Sequence, residues 1–181
     1  SIVIFSLSFI EFSKISKKLF KKQKLKLFLY NSMFLFYVFI FLMIFIISVN
    51  DLHLKIILFT ILLICSASDI GGLMFGKIFK GPKLTKISPN KTLSGSLGSF
   101  IFSILFTTIL LKYLFYTSTI KCILLGIIIS FSVQIGDLFF SYLKRKSLIK
   151  NTGNVLPGHG GILDRIDGIL LGLPIGLIFM L

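Results

Sequence analysis

Long uncharged apolar runs, separated by short charged segments, dominate the hydrophobic–polar pattern of the chain. The clearest run extends from Leu27 to Val49 and contains no charged residue. A helix of about 20 apolar residues is long enough to cross the hydrocarbon core of a bilayer. We therefore predict a membrane-spanning helix for each run of this kind. The predicted segments cover residues 27–49, 56–75, 99–117, 122–143 and 169–181.

The apolar segments at the two ends of the sequence are shorter than those between them. The first residues, SIVIFSLSFIEF, contain neither Met nor a basic stretch, so we expect the end of an apolar helix whose start lies before them. The last segment is short, and its pattern allows a start as early as Ile162. It contains Pro174, which a membrane helix tolerates because neighbouring helices can bond to the freed carbonyl group.

The fold class predicted from this pattern is an all-α, polytopic integral membrane protein with five or six transmembrane helices, the first of them truncated. The composition agrees, because 55% of the residues are hydrophobic, whereas soluble domains contain about 45–50%. We expect residues 1–26 to form the end of the first helix and a basic loop. Residues 27–181 are expected to form one membrane-embedded domain.

Positive charge is concentrated in every second connecting segment. Residues 14–26, 77–91 and 144–165 contain seven, five and five of the 20 Lys and Arg residues, whereas residues 50–55 and 118–121 contain one each. The positive-inside rule places the three basic segments in the cytoplasm. This topology and the anionic head groups of the bilayer account for the net charge of +14, so we predict no nucleic-acid partner.

Four of the six acidic residues are predicted to lie at one depth near the cytoplasmic surface. Asp69 and Asp137 each lie about six residues, or roughly 9 Å, from the cytoplasmic ends of their helices. Asp164 and Asp167 stand at the start of the last helix, on one face. Because carboxylates inside a membrane are costly, each indicates function by default. We therefore predict one shared site.

The residue types around these acids indicate metal-assisted phosphoryl or nucleotidyl transfer. Mg²⁺ prefers oxygen ligands and is usually held by one or two carboxylates together with substrate phosphates. Residues 88–99 (SPNKTLSGSLGS) provide hydroxyls, a lysine and glycines before a helix, whose N-terminus favours anions. Residues 157–161 (PGHGG) provide a histidine between glycines. Lys144, Arg145 and Lys150 can bind further phosphate oxygens.

Each of these features also has a purely structural interpretation. A single carboxylate near a helix end, such as that of Asp69, is often only paired with a cation. Asp164 and Asp167 flank Arg165, so helix capping and ion pairing can account for both. The glycines around His159 can mark a turn, and most loop lysines act only as topology signals. The combination of these features, rather than any one of them, favours a functional site.

Residues 141–167, SYLKRKSLIKNTGNVLPGHGGILDRID, resemble the signature of the phosphatidate cytidylyltransferase (CDP-diacylglycerol synthase) family. In that signature a Ser is followed by Lys-Arg, Lys-Asp, Pro-Gly-His-Gly-Gly and Asp-Arg-x-Asp. Residues 69–77 (DIGGLMFGK) and 88–92 (SPNKT) resemble two further stretches of the family. The resemblance spans residues 56–181, and its C-terminal signature is long enough to be specific.

Two positions differ from the family pattern. Asn151 stands where the family has Asp after the lysine, and Ser94 stands where Glu or Gln is usual. Asn keeps one acceptor oxygen of Asp but loses the charge, which weakens a role as metal ligand and leaves room for a supporting role.

The resemblance implies transfer of a cytidylyl group from CTP to phosphatidate, giving CDP-diacylglycerol and pyrophosphate, at the cytoplasmic side of a bacterial-type inner membrane. It also suggests a homodimer. We expect Asp137, Asp164 and Asp167 to bind Mg²⁺, and Lys144 and Arg145 to act with them as catalytic residues. A second, monovalent ion at the carboxylates is compatible with this set. The residues expected to bind nucleotide or phosphate oxygens are Asp69, Ser88, Lys91, Thr92, Lys150, His159, Gly160 and Arg165.

The chemistry of such a transfer requires no general base. A phosphomonoester has a second pKa of about 6 and is largely dianionic at neutral pH. Its oxygen can attack the α-phosphorus of CTP directly, so the protein contributes positioning and charge neutralisation. The alternatives are a CTP-dependent lipid kinase, which would release CDP, an ion-coupled transporter, and an inactive homologue. Transporters often contain internal repeats with interrupted helices, and no matching halves are evident here.

Overall fold

The structure is a computed structural model, and the part of the chain that it describes contains six α-helices. The described residues are 2–85, 87–88, 91–149, 151–153, 155 and 160–180. The helices are α1 (Ile2–Leu19), α2 (Lys24–Asn50), α3 (Leu52–Phe79), α4 (Leu93–Phe115), α5 (Thr119–Lys146) and α6 (Leu163–Met180). These elements confirm the predicted all-α fold.

Four helices, α2 to α5, are long and apolar enough to cross a membrane. They contain 23 to 28 residues, which corresponds to roughly 35–42 Å at the helical rise of 1.5 Å per residue. The polytopic architecture is thereby confirmed, with four of the five or six predicted spans meeting both criteria. Helices α1 and α6 contain 18 residues each.

The helices extend beyond the apolar runs that predict them. Helix α1 continues to Leu19 and includes Lys14, Lys17 and Lys18, which the pattern assigns to a loop. Helix α2 likewise begins at Lys24. Lysine is a good helix former and its long side chain can reach the aqueous boundary, so a change in polarity does not by itself end a helix.

The apolar core lies between α1, α2, α3, α5 and α6. Its members include one buried residue from each of these helices, namely Phe12, Phe34, Ile61, Ile129 and Leu173. Helix α4 instead packs on α3 through glycines: a Cβ at Gly71 would lie 2.5 Å from the carbonyl oxygen of Gly98. The backbones of α3 and α4 can approach closely because side chains are missing at these positions.

Helix α6 contains the proline that the sequence predicts to be tolerated. Pro174 has no backbone N–H, so the carbonyl of Leu170, four residues earlier, loses its helical partner. The hydroxyl of Tyr37 in α2 donates a hydrogen bond to that carbonyl. A neighbouring helix thus satisfies the freed group, as predicted.

Candidate active site

A cavity of about 260 Å³ lies where α3, α4, α5 and α6 meet. Four aspartates from three helices line it together with Lys91 and Arg165. They are Asp69, Asp137, Asp164 and Asp167. The structure therefore brings together the four acids that the sequence analysis expects at one depth.

Asp137 of α5 and Asp167 of α6 both line the cavity and are close enough for their charges to interact. Asp167 is buried, and its Oδ1 accepts a hydrogen bond of 2.9 Å from the N–H of Gly168. The two helices approach closely at Gly136, where a Cβ would lie 2.6 Å from the carbonyl oxygen of Asp167. Two neighbouring carboxylates of like charge favour a cation between them.

Asp164 has hydrogen-bond partners at both carboxylate oxygens. Its Oδ1 accepts from Lys144 Nζ at 2.7 Å. Its Oδ2 accepts from the N–H of Thr152 at 2.8 Å and from the N–H of Gly161 at 3.1 Å, and it lies 3.0 Å from the Thr152 hydroxyl oxygen. Lys144 Nζ also lies 3.8 Å from Asp167. Asp164 is therefore ion-paired in the structure, and the partner shown is Lys144 of α5.

The segment between α3 and α4 carries Lys91 to the opposite side of the cavity. Lys83 and Thr92 form an isolated antiparallel bridge, and the N–H of Leu84 donates to the Lys91 carbonyl at 2.7 Å. This pairing directs the Lys91 ammonium group onto the carboxylate of Asp137. Two lysines from separate segments thus pair with Asp137, Asp164 and Asp167.

Thr92 ends the same segment as the N-cap of α4 and also lines the cavity. Its hydroxyl accepts from the N–H of Gly95 at 3.1 Å and lies 3.0 Å from the hydroxyl of Ser94. The Ser94 hydroxyl accepts from the N–H of Gly81 at 3.2 Å. Ser94, which differs from the family pattern, therefore holds the two ends of this segment together.

The other predicted residues occupy different places. Arg165 lines the cavity, whereas Arg145 is exposed in the last turn of α5 and is not among the residues that line it. Ser88 lies in the α3–α4 segment, where its carbonyl accepts from the N–H of Lys91 at 3.1 Å. Gly160 has a φ of 85°, which favours glycine. Lys150 and His159 lie outside the described residues.

A polar network below the aspartates was not predicted from the sequence. The hydroxyl of Ser96 donates to Gln134 Oε1 at 2.5 Å, and Gln134 Nε2 donates to the Ser130 hydroxyl at 3.1 Å. The Ser130 hydroxyl lies 2.9 Å from that of Ser68, and both serines are buried. Polar residues spaced four apart within an apolar run, as Ser130 and Gln134 are, are the signal that could have revealed it.

Sequence reasoning also gave no role to Glu11 in α1. This residue is 1% exposed and accepts three hydrogen bonds from residues that precede or begin α6. An acidic residue within a mainly apolar stretch such as residues 2–12 is itself a signal of function. The signal was present, but the sequence does not show what the residue contacts.

The donor chemistry of the cavity fits a hard cation that shares its coordination with phosphate. Asp137 and Asp167 both line the cavity, and Mg²⁺ is usually bound by one or two carboxylates plus substrate phosphates. Within the described ranges, no group of three or more His, Cys, Asp or Glu side chains is arranged to hold a metal ion by itself.

Comparison with known proteins shows the family to which the chain is similar. Residues 1–181 match the family model described as "Cytidylyltransferase family". A phosphatidate cytidylyltransferase of Rickettsia bellii is 38% identical over 115 residues, which cover 59% of this chain and 50% of that protein. One of Helicobacter pylori is 40% identical over 113 residues, covering 62% and 42%. One of Rickettsia felis is 37% identical over 138 residues, covering 71% and 60%. The chain spans about half the length of the curated relatives it matches.

Proposed function

The chain belongs to the cytidylyltransferase family, and from this premise we propose that it transfers a cytidylyl group from CTP to phosphatidate. The products would be CDP-diacylglycerol and pyrophosphate. The relatives that carry the name phosphatidate cytidylyltransferase support this choice of substrate.

The observation that carries the proposal is the cavity in which carboxylates and cations from separate helices converge. Asp137 and Asp167 can share a divalent cation with phosphate. The ammonium groups of Lys91 and Lys144 lie beside these carboxylates and can bind phosphate oxygens. The helices around the cavity include three of the four that are long enough to cross a membrane. A site of this composition, built into membrane helices, suits an anionic lipid and a nucleoside triphosphate together.

The proposed reaction is a direct displacement. A phosphate oxygen of phosphatidate forms a bond to the α-phosphorus of CTP, and the bond from that phosphorus to the bridging oxygen of pyrophosphate breaks. The electron pair of the broken bond leaves on pyrophosphate. Because the lipid phosphate is largely dianionic at neutral pH, no side chain has to remove a proton from it.

The role of the protein is then to hold two polyanions together and to neutralise the charge that develops on pyrophosphate. Lys91 and Arg165 line the cavity and would contact phosphate oxygens, and Lys144 would keep Asp164 and Asp167 in place. The exposed Arg145 is better suited to attract an anionic head group than to touch the reacting atoms. Ser88, Lys150, His159 and Gly160 remain predicted phosphate-binding residues.

Mg²⁺ belongs to the proposal as the cofactor. Asp137 and Asp167 would hold it, and when bound it would supply a positive charge to the phosphate oxygens of CTP. Asp164 would contribute as a ligand only after releasing one of its present hydrogen-bond partners. A second, monovalent ion stays a prediction, as does the homodimer.

We place the active site on the cytoplasmic side of a bacterial inner membrane. The support is the position of the cavity beside two of the three lysine-rich segments, since the positive-inside rule assigns such segments to the cytoplasm. The bacterial origin of the named relatives agrees with this location.

Position-specific labelling of CTP tests the reaction. The detergent-solubilised chain is incubated with Mg²⁺, phosphatidate and CTP that carries the label at either the α- or the γ-phosphate. We expect the α-label in the lipid product and the γ-label in pyrophosphate. Transfer of the γ-label to lipid with release of CDP would identify a lipid kinase instead. Absence of transfer from both labels would indicate an inactive homologue or a different substrate.

The same assay tests whether Asn151 is compatible with activity. Asn151 is exposed and is not among the described residues that line the cavity, so we expect the native chain to be active. Activity that appears only in Asn151→Asp would mean that the missing charge disables the site.

A further inference from the structure

Glu11 of α1 is joined to the start of α6 by hydrogen bonds that span more than 140 residues of sequence. Its Oε2 accepts from the hydroxyl of Thr152 at 2.7 Å and from the N–H of Leu163 at 2.9 Å. Its Oε1 accepts from the N–H of Ile162 at 3.1 Å. With 1% of the residue exposed, the carboxylate is enclosed by the groups that bind it.

These bonds make Glu11 the N-terminal cap of α6. The first N–H groups of any helix lack partners within the helix and are usually satisfied by a nearby Ser, Thr, Asp or Asn. In α6 the position before the helix is Ile162, whose side chain cannot accept a hydrogen bond. A carboxylate from another helix takes this role, and its negative charge also favours the positive end of the helix dipole.

The segment before α6 is shaped around this carboxylate. A Cβ at Gly153 would lie 2.5 Å from Glu11 Oε1, and one at Gly161 would lie 2.7 Å from Glu11 Cδ. Both positions therefore require a residue without a side chain if the segment is to close over Glu11. Gly161, three residues before Asp164, is thus explained by packing against a residue from near the other end of the sequence.

Thr152 connects Glu11 to the cavity. Its hydroxyl contacts Glu11 Oε2 at 2.7 Å and Asp164 Oδ2 at 3.0 Å, and its N–H donates to the same Asp164 oxygen at 2.8 Å. Asp164 in turn accepts from Lys144, which also approaches Asp167. A continuous chain of polar contacts therefore leads from α1 to the paired carboxylates.

We propose that Glu11 is a positioning residue of the active site, which fixes the start of α6 and, through Thr152, the orientation of Asp164 and Lys144. The effect of Glu11 on turnover rests on the proposed function, whereas its effect on the structure around α6 does not. Helix α1 is thereby part of the catalytic architecture although it contributes no residue to the cavity lining that the structure describes.

Glu11→Gln is the sharpest test because it preserves size and removes one acceptor. In either orientation of the amide, its NH₂ group faces a backbone N–H, of Ile162 or of Leu163, so at least one present bond is lost. Hydrogen–deuterium exchange, followed by mass spectrometry in detergent, should show faster exchange in residues 160–166. Exchange in α4, which packs mainly on α3 and α5, should stay unchanged.

Two control variants separate positioning from general loss of stability. Ser8→Ala removes an equally buried polar group of α1 whose hydroxyl bonds only to the Ile4 carbonyl of the same helix. Tyr37→Phe removes a hydrogen bond to the Leu170 carbonyl of α6, and neither residue is among those that line the cavity. Neither should change exchange in residues 160–166, and both should keep wild-type kcat.

Turnover provides the second measurement. We expect Glu11→Gln to lower kcat by about 10- to 100-fold, the usual effect of removing a residue that supports a catalytic or metal-binding group. Thr152→Val should lower kcat similarly. The double variant should lose little more than either single one, because both changes interrupt the same chain of contacts. If Glu11→Gln does not fold, Thr152→Val supplies the same exchange and turnover measurements.

The outcomes distinguish this inference from the proposed function. Wild-type exchange in residues 160–166 of the Glu11→Gln and Thr152→Val variants would overturn the inference whatever the activity. Faster exchange with unchanged kcat would also overturn it. Faster exchange in both variants, when the wild-type chain itself transfers no label, would support the positioning role while rejecting the proposed reaction.

Discussion

The ammonium group of Lys91 donates a hydrogen bond to the carboxylate of Asp137, 46 residues further along the chain. The contact joins the segment between α3 and α4 to α5 at the edge of the cavity. Both side chains remain partly exposed, at 28% and 30%. Ion pairs of this kind contribute little to stability, so Lys91 is available to meet an anionic ligand.

Replacing Lys91 should therefore affect catalysis far more than folding. We expect Lys91→Met to lower kcat/KM for CTP by about 100-fold or more, because one preorganised positive charge beside the phosphates is lost. The melting temperature in detergent should stay close to that of the wild type. Lys83→Met, an exposed lysine of the same segment, is the matched control and should keep wild-type kinetics. Equal kinetics of the two variants would contradict the role given to Lys91.

Replacing Lys144, in contrast to Lys91, should clearly lower the stability of the chain. Lys144 pairs with Asp164 where both side chains are largely buried, at 12% and 13% exposed. Lys144→Met leaves the Asp164 and Asp167 charges without their ammonium partner, and breaking such a pair costs about 3 kcal/mol or more. We expect a clearly lower free energy of unfolding than in Lys91→Met, measured by denaturation in detergent under identical conditions. A stability equal to that of Lys91→Met would show that the pair is better solvated than the structure indicates.

The contact between Tyr37 and the Leu170 carbonyl predicts a specific compensation. Tyr37→Phe leaves that carbonyl without a partner in the membrane interior and should destabilise the chain by about 1 kcal/mol. Pro174→Ala restores an N–H that can bond to Leu170 within α6. In the Pro174→Ala background, Tyr37→Phe should therefore cost little. A double-mutant cycle of unfolding free energies measures this coupling, and additive effects would contradict it.

Much of the fold follows from the sequence because membrane helices are specified locally. The length of an apolar run and the side on which lysines gather are both properties of neighbouring residues, and they sufficed to predict the helices and to group the four aspartates. The same local logic predicted that Pro174 would be tolerated. Helix ends were less predictable, since lysines continue α1 past its apolar part.

The parts that sequence reasoning missed depend on distant contacts. Glu11 and Thr152 are 141 residues apart, and no periodicity indicates that they meet. The signature around Lys144 and Arg145 suggested two neighbouring phosphate ligands, yet adjacent residues on a helix point in different directions, and only Lys144 reaches the aspartates. Packing decides which side chains converge on the cavity.

The most direct test of the account compares two aspartates that differ in position but not in chemistry. Asp137 lies in the cavity, whereas Asp51 caps α3, where its side chain accepts from the N–H of Leu54 at 2.9 Å. We predict that Asp137→Asn lowers transfer of the α-phosphate label from CTP to phosphatidate by about 100-fold or more while membrane insertion is preserved. Asp51→Asn, which keeps a good capping residue, should retain wild-type transfer. Wild-type transfer by Asp137→Asn, or an equal loss in both variants, would contradict the assignment of the cavity as the active site.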